Sequence, residues 1–195
     1  MLQFVTDKKA ALSVREQVEV VLEGGCRWIE LSPCEDLKEV AGELLPLCRD
    51  KETFLVIDDD VDLVEELRVH GVHLSHADRS RAMEVRERLG AHAVIGIDCV
   101  TASDAVALKG LDMDYVTFRV EPTPEGVAAF AEIARAVKDA DTGLHIVARG
   151  EFPVEMLRDV ISAGAAGVAM SDTIISAPSP TDTVSRIISE LQACL

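Results

Sequence analysis

The chain is short of positive charge, of closely paired cysteines and of long apolar runs, and each shortage removes a class of function. Nineteen basic side chains stand against 35 acidic ones, a formal charge of -16. Such a surface repels nucleic acid and anionic membrane and slows the approach of phosphorylated substrates. An enzyme that handles phosphate would need a local cationic pocket to overcome that field. No apolar stretch approaches the roughly 20 residues of a membrane span. The opening residues Leu2, Gln3, Phe4 and Val5 carry neither the basic segment nor the cleavage site of an export signal. The expectation is a cytoplasmic protein with no membrane or nucleic-acid partner. Cys26, Cys34, Cys48, Cys99 and Cys194 are odd in number and widely spaced, unlike the close pairs of a structural zinc site, so reduced thiols are expected. The first strand candidate also lacks the Gly-x-Gly-x-x-Gly turn of a dinucleotide-binding sheet.

What is present is a regular alternation. Runs of strand length and composition occupy residues 2–5, 28–31, 54–57, 72–74, 93–97, 115–118, 144–148 and 167–170. Helix-spaced apolar residues lie between them: Val14, Val18, Val21 and Leu22; Leu37, Val40, Ala41 and Leu44; Val61, Val64 and Leu67; Met83, Val85 and Leu89. Further helices are expected over 102–109, 124–138, 154–163 and 182–192, with Gly24, Gly90, Gly110 and Gly164 at helix ends, where a left-handed residue costs little. Strands joined by single helices run parallel. Eight such units predict an α/β protein, a single (β/α)8 TIM barrel spanning 1–195, compact for a fold whose usual length is about 250 residues. An open doubly wound sheet is the rival architecture.

In such a barrel chemistry gathers where strands end and helices begin. Here those positions are acidic: Glu30, Asp58, Asp59, Asp60, Asp78, Asp98, Glu151 and Asp172. Capping accounts for about half of them, since Asp is a good N-cap and negative charge suits a helix N-terminus. Three consecutive aspartates after the third strand ask for more, a bound cation or a retained proton. Arg119 and Arg149 end the sixth and seventh strands and suit internal ion pairs, or an anion. His73 and His76 are spaced to point to opposite faces of a strand, which disfavours a shared ion. Cys34 and Cys99 lack a basic partner in the sequence, which argues against a catalytic thiol, and Trp28 and Tyr115 read as core.

The run Gly25 to Leu31, the segment Phe54-Leu55-Val56-Ile57-Asp58-Asp59-Asp60-Val61-Asp62-Leu63 and the segment Gly71-Val72-His73-Leu74-Ser75-His76-Ala77-Asp78 resemble the thiamine phosphate synthase and thiazole tautomerase (TenI-like) family. Ile95 to Asp98, Asp114 to Val116 and Ala163 to Ala169 fit it in order, so the resemblance covers nearly the whole chain. It implies a (β/α)8 barrel and a transferase of thiamine biosynthesis, a thiamine-phosphate diphosphorylase that joins a pyrimidine pyrophosphate to a thiazole phosphate with magnesium. The family's two metal-holding aspartates fall on Asp59 and Asp78. Its phosphate grips are changed. The Gln-Leu-Arg-x-Lys of the second strand reads Glu30-Leu31-Ser32-Pro33-Cys34, the third-strand Asn is Asp58 and the fifth-strand Ser is Asp98. The Pro-Thr-x-Thr-Lys loop survives as Glu121-Pro122-Thr123-Pro124-Glu125, the Gly-Gly turn reads Gly150-Glu151, and the last phosphate-site Ser aligns with Asp172. The tautomerase branch's His after the sixth strand is replaced by Arg119 or deleted.

Two readings follow. One is a thiamine-metabolism barrel with magnesium at Asp59 and Asp78 but with weak or lost synthase activity. The other is a non-catalytic or repurposed barrel that binds a neutral or cationic small molecule, or a protein partner. The candidate ligand contacts are Glu30, Asp58, Asp98, Arg119, Glu151 and Asp172. Oligomeric state stays open, a homo-oligomer included.

Overall fold

The computed structural model describes residues 1–194. The strands are β1 (Leu2–Val5), β2 (Trp28–Leu31), β3 (Phe54–Asp58), β4 (Gly71–Leu74), β5 (Val94–Cys99), β6 (Tyr115–Arg119), β7 (His145–Arg149) and β8 (Gly167–Met170). Each pairs in parallel with the next, and β8 returns to β1, which closes the barrel. The open-sheet alternative is thereby excluded. The crossovers carry α1 (Val14–Glu23), α2 (Leu37–Asp50), α3 (Val61–Leu67), α4 (Arg79–Leu89), α5 (Ala102–Ala107), α6 (Pro124–Asp139) and α7 (Leu157–Ser162), followed by α8 (Asp172–Ile175) and α9 (Pro180–Ala193).

Alternation along each strand divides the core in two. Phe4, Ile29, Leu31, Leu55, Ile57, Val72, Leu74, Ile95, Ile97, Val116, Phe118 and Val168 pack outward on the helices in one large cluster. Inside the barrel, Tyr115, Val147 and Ala169 form a small apolar floor with Val5, Trp28 and Val94. Trp28 meets Tyr115 edge to face at 4.6 Å, so both aromatics are core, as expected. A side chain at Gly96 would meet the Tyr115 ring at 2.0 Å, so glycine there is what lets the phenol lie across the barrel axis.

Local chemistry starts the helices. Ser13 and Glu16 form a reciprocal cap on α1, Thr101 and Asp104 do so on α5, and Thr123 precedes Pro124 at the start of α6. Several expectations shift. The 154–163 segment splits into a 3-10 turn, Val154–Met156, and α7, because Pro153 fixes the entry and the first turn tightens. The four-residue α8 was not anticipated, being too short for periodicity to mark. Gly90, Gly110 and Gly164 have positive φ, but Gly24 does not; Gly25, at φ 97°, turns the chain instead. Gly24 serves close approach, since a Cβ there would lie 2.6 Å from Val184 of α9. No helix among the described residues is long and apolar enough to cross a membrane.

Candidate ligand site at the barrel mouth

Because every strand is parallel, Asp58, Asp59, Asp78, Asp98, Glu151 and Asp172 lie at or just beyond the same, C-terminal end of the barrel. They divide into two sets by what their carboxylates touch.

The first set serves nearby backbone N–H groups or, for Asp172, a hydroxyl one turn on. Asp60 accepts the N–H of Leu63 at 2.9 Å, and Asp78 Oδ1 accepts those of Ser80 and Arg81 at 2.8 and 3.0 Å. Asp172 Oδ1 accepts from the Ser176 hydroxyl within α8. Glu151 reaches from the β7 loop to the start of α8, where its two oxygens accept the N–H groups of Ser171 and Thr173 at 3.1 and 2.7 Å. A carboxylate thus sits on the donors that an anion would use there. Asp59 lies in the left-handed region, φ 53°, a conformation Asp tolerates better than most residues. Its Oδ1 accepts from Ser75 N at 3.2 Å and pairs with Arg81 Nη2 at 3.1 Å.

The second set points into the barrel, where capping plays no part. Glu30 is fully buried, and Arg149 Nη2 lies 2.6 Å from both of its oxygens. His73, 1% exposed, joins Tyr115 Oη through Nδ1 at 3.0 Å and Asp98 Oδ1 through Nε2 at 3.1 Å. Gln3 donates to the same Tyr115 oxygen at 3.0 Å, and Thr117 donates to Asp98 Oδ1. One ligand atom from each of Glu30, Asp58 and His73 lies within 4.8 Å of the others. Asp58 Oδ1 and Arg149 Nε are buried with no hydrogen-bond partner among the described residues. Burial, then the Glu30 charge, pushes the Asp58 carboxyl up to about 8. Burial acts the same way on Asp98, but the His73 hydrogen bond and Arg149 outweigh it and hold this carboxyl at about 2. For His73 burial favours the neutral ring, and Glu30 and Asp98 overcome it to raise the imidazole. Two neighbouring acids are thus shifted in opposite directions, Asp58 toward the neutral acid and Asp98 toward the carboxylate, around the Arg149 guanidinium.

The ion-pair expectation therefore holds for Arg149. It fails for Arg119, which is exposed and makes no ion pair or hydrogen bond among the described residues. Arg119 continues the inward row Tyr115, Thr117 by two residues, one step beyond Thr117, which is paired with Asp98. The cysteines are unpaired. Burial raises Cys99 to about 12 and also raises Cys34, so both are thiols rather than nucleophilic thiolates. His73 is packed inside the barrel, with both ring nitrogens in the network. Gln3 and Thr117 were not anticipated at all. The inward rows Trp28/Glu30, Gly71/His73, Gly96/Asp98 and Val147/Arg149 carried the signal, each running from an apolar or small residue to a polar one toward the C-terminal end of its strand.

The thiamine monophosphate synthase family model matches residues 2–174. This chain belongs to that family. The thiamine-phosphate synthase of Bacteroides thetaiotaomicron is 34% identical over 200 residues, covering 96% of this chain and 95% of the relative. That of Phocaeicola vulgatus is 33% identical over 200 residues, with 96% of each chain covered. The barrel also superposes on the thiamine phosphate pyrophosphorylase of Pyrococcus furiosus, TM-score 0.84 at 23% identity, over all of this chain and 96% of the other. That last likeness shows the fold. This chain carries a buried pair, Glu30 with Arg149, in a barrel whose mouth is otherwise acidic.

Proposed function

We propose that this barrel, acting as one domain over 1–195, has lost the pyrophosphate-releasing condensation of its family and binds a small molecule at its mouth by other contacts. The observation that carries the reading is Glu151, whose carboxylate already occupies the Ser171 and Thr173 N–H groups. A phosphate arriving there would have to displace it and would then meet it as a like charge, a repulsion of about 4 kcal/mol at 4 Å and an effective dielectric of 20. Asp98 and Asp172, standing where the family's donors are expected, act in the same sense. Arg149 offers no substitute grip, because Glu30 engages it.

The test is the family reaction itself. Purified protein supplied with the pyrimidine pyrophosphate, the thiazole phosphate and magnesium should form thiamine phosphate at well below roughly 1 per second, the low end of ordinary enzyme turnover. Turnover at or above that rate rejects the reading.

A second reading keeps the chain in thiamine metabolism as a magnesium-assisted transferase, and it is favoured by Asp59 and Asp78. Each uses only Oδ1 in the hydrogen bonds and ion pair described, leaving Oδ2 for another partner. Two carboxylates are the donor type a hard divalent ion takes, so the donor chemistry suits magnesium. When bound it would supply positive charge to ligand oxygens. Arg81 already lends Asp59 one cation, so an ion there competes with a side chain. The expected ligand in both readings is a small molecule in the cytoplasm.

A further inference from the structure

Two arginines end neighbouring strands in register, Arg119 on β6 opposite Arg149 on β7. Both line each of two adjoining cavities at the mouth. One, of about 400 Å³, also takes in Ser75, His76, Asp98 and Val100; the other, of about 290 Å³, also takes in Val5, Pro122, Glu151 and Met170. The larger lies within the range of small-ligand pockets.

The larger cavity brings an unpaired cation, Arg119, together with carboxylate oxygens that take no hydrogen bond among the described residues, Asp98 Oδ2 and Asp104 Oδ1. Arg119 has no ion-pair or hydrogen-bond partner among the described residues, in a chain where carboxylates outnumber cations 35 to 19. Asp98 spends Oδ1 on His73 and Thr117, while its Oδ2 takes no hydrogen bond among the described residues and its side chain is 36% exposed. The register sets the spacing. Asp98 pairs with Thr117, and Arg119 lies two residues further along β6, a step of about 6.6 Å along the strand and 4.8 Å across. Arg119 and Asp98 line the same cavity across that gap.

A dianion in this space would face Asp98 and the nearby Glu151, and a simple cation would face both arginines. A molecule with one charge of each sign satisfies both ends. We propose that the cavity between Asp98 and Arg119 binds a small zwitterion, an amino acid or ω-amino acid, with its carboxylate on Arg119 and its ammonium on Asp98. The assignment rests on the reading that phosphate is no longer the ligand of this mouth, and it names the class of molecule that replaces it. Arg149, held by Glu30, acts as the wall that keeps the Asp98 carboxylate ionised and in place.

The test uses the full chain and three probes: L-leucine, β-alanine and 4-aminobutyrate. Each is compared with the amine lacking its carboxylate and with the acid lacking its ammonium. At roughly 10 mM, at least one zwitterion should raise the melting temperature by about 2 °C or more, by mass action on the folded state. Its matched amine and acid should not. Arg119→Ala, at an exposed position, should fold normally and lose the shift, and Arg119→Lys should keep part of it. The proposal is overturned if no zwitterion shifts the melting temperature, if an acid alone does as well, or if Arg119→Ala binds as before. A shift with inorganic pyrophosphate that Arg119→Ala abolishes also overturns it, because the arginines would then serve a phosphate-type anion. The reading beneath it fails separately, on thiamine phosphate turnover, so an inactive protein that ignores all three zwitterions sinks only this inference.

Discussion

Arg149 and Glu30 meet across the barrel, from strands separated by β8 and β1, with one guanidinium nitrogen 2.6 Å from both carboxylate oxygens. Glu30 is wholly buried and Arg149 is 18% exposed, so each charge depends on the other for the solvation it has lost. Breaking such a pair from one side leaves a buried charge unpaired, which costs about 3–5 kcal/mol. Arg149→Ala should therefore destabilise by that order in chemical denaturation. Glu30→Gln combined with Arg149→Met removes both charges and should recover most of the loss. A double variant no more stable than Arg149→Ala would mean that Arg149 matters chiefly to Asp98.

The pH dependence of stability follows from Asp58 and His73. The Asp58 carboxyl rises to about 8 in the folded chain, against about 3.9 for an unperturbed Asp. Between those values the folded state holds a proton that the unfolded state has released, so stability falls as pH rises through this window. His73, raised as well, adds a fall above its ordinary value near 6.5. Asp98, held at about 2, has the opposite sign and matters only below about pH 4. The expected profile is a maximum near pH 4–5 and a loss of a few kcal/mol by pH 8, at about 1.4 kcal/mol per unit of difference. Asp58→Asn should flatten the slope from pH 5 to 8 and stabilise the protein at the upper end. An unchanged slope in that variant would show that Asp58 is ionised at neutral pH.

Glu151 gives a direct test of the blocked anion position. Glu151→Gly restores the Gly-Gly turn and frees the Ser171 and Thr173 N–H groups now capped by the carboxylate. Inorganic phosphate at roughly 10 mM should raise the melting temperature of the variant and leave that of the parent almost unchanged. Equal responses would place the obstacle elsewhere, with Glu30 and Asp98 the next suspects.

How much of this was legible in the chain depended on period and range. Eight β-branched runs alternating with 3.6-residue stripes were enough for the barrel, and strand ends placed the acids at one mouth. What the sequence did not separate was Asp78 from Asp58. Both follow the same kind of run, yet Asp78 turns to cap α4 while Asp58, ending β3, points inward toward Glu30. That division depends on where each strand stops: Asp58 is the last residue of β3, whereas Asp78 lies four residues beyond Leu74 and is the N-cap of α4. The partnership of Arg149 with Glu30 spans 119 positions and has no local signal at all. Gly96 became meaningful only with the Tyr115 ring lying over it.

The acids at the edge of the mouth decide whether a metal belongs there. Asp59 and Asp78 each keep one oxygen outside the contacts described, but Arg81 sits 3.1 Å from Asp59 Oδ1 and also donates to the Asp59 carbonyl at 3.3 Å. A magnesium ion must therefore displace or repel a guanidinium, and no phosphate ligand is expected to help hold it. Binding should be weak in the parent chain, in the millimolar range, about 4 kcal/mol of standard free energy. Arg81→Ala should tighten it, since removing one positive charge a few Å away relieves up to a few kcal/mol at an effective dielectric of 20. Asp59→Asn should abolish it. Calorimetric titration of the three proteins with magnesium checks the order. If Arg81→Ala binds no better than the parent, or if Asp59→Asn still takes up the ion, then Asp59 is not a ligand and its pairing with Arg81 is structural.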